Sequence, residues 1–115
     1  MFQFLKKSLP QMPKKLVLNT LVFSELDDGR GRGFGQRDGV LLVSDRKTGA
    51  ELWALPVYAC SNAERLRFHK METTPDQKQL LITNSRRERF LLDLRTRSVQ
   101  ALDVPYTPRL RLAVG

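Results

Sequence analysis

The sequence predicts an all-β protein, an antiparallel meander of about seven to eight short strands folded into a sandwich or half-barrel with at most one short helix. Three observations predict it. Apolar residues recur with a period of two over short runs, as in Phe90, Leu92 and Leu94 alternating with Leu91 and Asp93. Turn-forming clusters separate these runs, among them DRKTGA at 45–50 and TPDQ at 74–77. The stretch 74–105 reads as three strands with two polar connections, and a looser copy of its second half lies earlier, at 40–57.

With 115 residues, 41% hydrophobic and 28% charged, the chain has the composition of one compact unit, and we expect a basic N-terminal arm over 1–14 followed by a single all-β domain over 15–115. Twenty Lys+Arg against 12 Asp+Glu leave a formal charge of +8, which favours an acidic protein, a nucleic acid or an anionic surface as partner. Cys60 is the only cysteine, so no intrachain disulfide and no multi-cysteine metal site is expected. The first 13 residues place their apolar residues ahead of the lysines and carry two prolines, the wrong order for a secretory signal and too short a run for a membrane span. A soluble, cytoplasmic protein is the expectation.

Taken in order, KLVLNTLVF at 15–23 is apolar at both alternating sets of positions and predicts one strand buried on both faces. SELDDGRGRGFGQRDG at 24–39 holds five glycines and three arginines and predicts an irregular loop. Strands follow at 39–45 and 51–58, with Pro56 marking an edge or a strand end. Residues 60–72 are ambiguous between helix and strand: Ser61 with Glu64 forms a capping box, while Arg65 to His69 alternates polar and apolar, and a turn or single helical turn followed by a strand is the favoured reading. Strands are then expected at 79–84, 90–94 and 98–104, and a final edge strand at 109–114 after the Tyr106, Thr107, Pro108 break.

Two arginine clusters are the candidate contact residues. Arg30, Arg32 and Arg37 flank Phe34 in the glycine-rich loop, a composition able to meet phosphates and stack a base, or to meet an acidic protein. Arg86, Arg87 and Arg89 crowd one end of the 79–94 unit. A phosphate-binding loop is disfavoured, because an apolar strand follows where a Lys-Ser/Thr pair should open a helix. Cys60 and His69 lack a visible third group that would make them a nucleophile pair. These readings point to a non-enzymatic interaction module without cofactor or metal. Its expected partner is an acidic protein, as for an immunity or regulatory protein; the alternative is a nucleic-acid binder using the same arginines.

The 74–105 stretch resembles one blade of the β-propeller repeats of the TolB/WD40-like class, on Pro75, Asp76, Lys78, Leu92, Asp93, Leu94 and Thr96. Gln77 and Arg97 stand where that repeat has glycine. Asp45, Thr48 and Gly49 match in the earlier copy, and Thr48 and Thr96 are 48 positions apart (96 minus 48), near the blade period of about 40 to 50. The resemblance implies a binding platform built of about two blade-like units, too few to close a propeller of four or more, and so allows for a homo-oligomer.

Overall fold

A computed structural model describes residues 15–102. The basic arm assigned to 1–14, the break at 106–108 and the strand expected at 109–114 lie outside the described residues.

The fold is all-β and antiparallel, as the alternation predicts. Among the described residues eight strands form two four-stranded meanders. The first sheet holds β1 (Lys15–Leu18), β2 (Leu21–Glu25), β3 (Val40–Asp45) and β4 (Glu51–Pro56) in that order. The second holds β5 (Phe68–Thr73), β6 (Gln79–Asn84), β7 (Arg89–Asp93) and β8 (Val99–Leu102). Pro56 is both the last residue of its strand and on an edge, where its missing N–H breaks no ladder bond.

The strand expected over 15–23 is instead a hairpin. Asn19 turns the chain at φ 55°, pairing Leu18 with Leu21 and Leu16 with Phe23. Asn tolerates this left-handed backbone better than most residues, which lets a two-residue turn form without glycine. The glycine-rich loop also departs from the irregular expectation. It contains one 3-10 turn over Gly29–Arg32, capped by the Asp28 side chain on the Arg30 N–H and closed by Gly33 at φ 85°. Residues 60–67 form no helix: the capping-box signal yields only a local turn, with Ser61 accepting from the Ala63 N–H, and β5 begins at Phe68.

The two sheets share one core. Phe23, Leu41 and Val43 from the first meet Leu80, Ile82 and Leu92 from the second, all fully shielded from solvent. Side chains of this size contribute about 1.5–3 kcal/mol each when buried. Tyr58, in the crossover between sheets, stacks on Phe90 with centroids 5.0 Å apart and meets the edge of Phe68 at 6.0 Å. Its hydroxyl donates to the Leu66 carbonyl, so the polar end of a buried ring is satisfied.

The repeat seen in the sequence is also a repeat of hydrogen bonds. Asp45 Oδ1 accepts the Lys47 and Thr48 N–H groups, and Thr48 Oγ1 accepts from Ala50. Asp93, Thr96 and Ser98 repeat the same set with Arg95 and Thr96 as donors to Asp93. Gly49 closes the first turn at φ 77° and Arg97 closes the second at φ 63°, each donating its N–H to the turn's aspartate carbonyl.

Candidate partner-contact surface

In a meander, alternate connections fall at the same end, so the β2–β3, β4–β5 and β6–β7 connections gather at one end of the molecule. Residues 61–67 lie between the two arginine clusters and bind both. On one side, the Arg37 N–H donates to Asn62 Oδ1 at 2.8 Å, and Asn62 Nδ2 donates to the Gly35 carbonyl at 3.3 Å. On the other, the Ser85 N–H donates to the Arg67 carbonyl at 2.9 Å, and Arg86 pairs with Glu64 at 2.8 Å. Two clusters about fifty residues apart in sequence thus form one continuous surface through a shared middle segment.

Beneath that surface lies a buried ionic clasp. Asp38, 1% exposed, accepts from Arg65 Nε at 3.1 Å, from the Leu66 N–H at 2.8 Å and from Arg67 Nη1 at 3.2 Å. Burial alone would raise its carboxyl, but these hydrogen bonds together outweigh it and hold the group below the ordinary aspartate range. Glu25 accepts from the Gly39 and Phe68 N–H groups and pairs with Arg67 at 3.3 Å. For Glu25 burial wins, and its carboxyl is raised. Arg67 also donates to the Leu26 and Asp27 carbonyls, so one guanidinium ties the glycine-rich loop to the start of the second sheet.

Arg30 binds Asp28 through two nitrogens, at 2.9 and 2.6 Å, and this hydrogen-bonded pairing lowers the Asp28 carboxyl to about 2. Arg32 binds Glu51 at 2.8 and 2.6 Å, joining the loop to β4 and holding the Glu51 carboxyl below its usual range. Arg37 and Phe34 are half-buried, and Arg37 Nε is shielded without a hydrogen-bond partner among the described residues. Arg86, Arg87 and Arg89 are exposed, with Arg87 held at φ 71° in a turn organised by buried Asn84. Arg30, Arg32 and Arg86 keep two-fifths or more of their side chains in solvent, where an ion pair is held only weakly and can exchange for another carboxylate.

Comparison with protein-family models, curated proteins and solved structures finds no match. The surface therefore has to be read from its own chemistry. Carboxylates alternate with the arginines along it: Asp27, Asp28, Glu51, Glu64 and Glu88. The arginine clusters alone did not reveal this mixture. Glu25 was the readable signal, because it continues the inward positions of Phe23 and a carboxylate there requires a buried partner.

Cys60 sits beside this clasp, its Sγ donating to the Asp38 carbonyl at 3.4 Å, and burial followed by the Asp38 charge pushes its thiol up. His69 is exposed on β5. Among the described residues no group of three or more His, Cys, Asp or Glu side chains is placed to hold a metal ion, and no helix is long and apolar enough to cross a membrane.

Proposed function

We propose that this chain is a small, basic, non-enzymatic interaction module whose loop end binds an acidic protein partner. The observation that carries this reading is the hydrogen-bonded joining of residues 26–39, 61–67 and 84–88 into one surface on which exposed arginines alternate with carboxylates. A nucleic-acid backbone offers uniform negative charge and would be repelled by Asp27, Asp28, Glu64 and Glu88. A folded protein with a patterned surface can meet both signs, and arginine is a residue type enriched at such interfaces. Burial pushes the Cys60 thiol up, the reverse of what a nucleophile requires, so this cysteine lends no support to a catalytic reading. A regulatory or immunity-type protein of the cytoplasm fits this chemistry, and the recurring Asp-Thr turns support reading the sheets as two blade-like repeats.

The test is capture of partners from the native host with the full chain, with and without nuclease, beside the Arg86→Glu, Arg87→Glu double variant. Nuclease-resistant capture that the variant loses, with crosslinks mapping to 26–39, 61–67 and 84–89, is the expected result. Capture abolished by nuclease would move the reading to nucleic acid. Capture untouched by the charge reversal would remove this surface from consideration.

A further inference from the structure

The repeat fixes which faces of the two sheets correspond. Shifting β3 by 48 positions (91 minus 43) places Val43 on Leu91, Leu42 on Phe90 and Ser44 on Leu92. The strand registers agree: Phe23 pairs with Val43 as Leu81 pairs with Leu91, and Val22 pairs with Ser44 as Leu80 pairs with Leu92. In the first sheet the buried pair is Phe23 with Val43. In the second it is Leu80 with Leu92, the pair from the opposite face. The shared core is therefore built from unlike faces, stacked in the same sense rather than related by a two-fold.

This leaves each sheet with one face outside the shared core, and on the first sheet the glycine-rich loop shields that face only at its Val40 end, where Gly29 lies against the Val40 side chain. On the first sheet Val17, Val22, Ser24, Leu42, Ser44 and Ala54 share the face opposite Phe23 and Val43. Val17 is 50% exposed, and none of the apolar residues on this face packs against the core cluster. An antiparallel sheet with one solvated face ordinarily carries polar residues there, yet the middle of this one holds only aliphatic side chains and serines. On the second sheet Leu81 and Leu91 are half-exposed at the centre of the outer face, between Thr83 and Gln100 and ringed by the charged Lys70, Glu72, Arg89 and Asp93, and again lie outside the core cluster.

We propose that a second copy of this chain covers these faces, with the open face of the first sheet in one copy seated on the open face of the second sheet in the next. A copy of the chain is the occupant because each open face is the repeat counterpart of a face already buried between the two sheets. The Leu81/Leu91 face corresponds to Phe23/Val43, and the Val22/Ser44 face corresponds to Leu80/Leu92. The contact between copies repeats the contact within one. Such a head-to-tail interface closes as a ring when its rotation permits, and rings of four to eight sheets correspond to about two to four copies.

The mass of the full chain by light scattering and sedimentation tests this without any variant: a multiple of 13.2 kDa is expected, and a monomer at all concentrations overturns the proposal. Leu42→Glu and Leu91→Glu, each checked for a retained β circular-dichroism spectrum and cooperative melting, should each reduce the assembly to monomer. Mixed together they should form a dimer and nothing larger, because the intact second-sheet face of L42E still accepts the intact first-sheet face of L91E. If L91E keeps the full assembly, or the mixture stays monomeric, the unlike-face contact is wrong.

Discussion

The guanidinium carbon of Arg97 lies 4.5 Å from the centroid of the Trp53 ring, seating the last tight turn of the second sheet on the outer strand of the first. Arg97 holds a left-handed backbone, φ 63°, at the place where Gly49 serves in the first sheet. That backbone costs a side chain about 1–2 kcal/mol relative to glycine, and an exposed cation–π contact returns about 0.5–1 kcal/mol. Arg97→Gly is therefore expected to change stability by less than about 1 kcal/mol, because relief of the backbone is offset by loss of the ring contact and by the freer unfolded chain. Exposed Gln77 has the same backbone, φ 61°. Gln77→Gly should stabilise the protein by about 0.5–1 kcal/mol in urea unfolding.

Gly39 is a second position where the backbone decides. It sits at φ 83°, and a Cβ there would lie 2.7 Å from a carbon of the Tyr58 ring, which is itself fixed against Phe68 and Phe90. Gly39→Ala combines a disfavoured backbone with a clash that a packed ring cannot yield to. A loss of about 2–4 kcal/mol is expected from urea midpoints.

Removing Asp38 should be among the most damaging single changes. Asp38→Ala leaves Arg67 and the Leu66 N–H without the acceptor they share in a shielded site. Arg67 keeps Glu25 and the Leu26 and Asp27 carbonyls and Arg65 is solvated, so the cost comes chiefly from the orphaned Leu66 N–H and the lost charged hydrogen bonds, about 1–3 kcal/mol. Asp28→Ala, which removes a solvent-exposed pair with Arg30, should cost far less in the same unfolding measurement.

The two buried carboxylates set opposite responses to acid. The Asp38 carboxyl is lower in the folded protein than its ordinary 3.8, so its stabilisation is complete above that value and is lost as pH falls through the folded value. Asp76 and Asp93, lowered by hydrogen bonds within their turns, act in the same direction. Glu25 is raised above 4.5, so its contribution is complete below that value and is lost as pH rises through the folded one. Thermal midpoints should therefore rise slightly on mild acidification and then drop below the aspartate range. Asp38→Asn should blunt the drop.

Much of this architecture was readable because alternation and turn chemistry agreed. The strands at 40–45, 51–56, 79–84 and 89–93 are each bounded on at least one side by a turn whose aspartate declares itself, Asp45, Asp76 or Asp93. The β1–β2 hairpin was hidden because Val17 and Val22 are apolar on the uncovered face while Leu16 and Phe23 are apolar on the core face, which mimics one strand buried on both sides. The arginines were legible as a cluster, but their partners were not. Glu51 is 19 positions from Arg32 and Glu64 is 22 from Arg86, separations that only the folded chain brings together.

The clasp also governs how the molecule comes apart. Glu25 and Asp38 belong to the first half of the chain, while Arg65, Leu66, Arg67 and Phe68, which satisfy them, belong to the second. Neither half folded alone would supply those donors to the two acids, or the opposing wall to Phe23 and Ile82. Melting of one sheet thus withdraws support from the other, and a cut in the crossover should give two fragments that regain structure only when recombined.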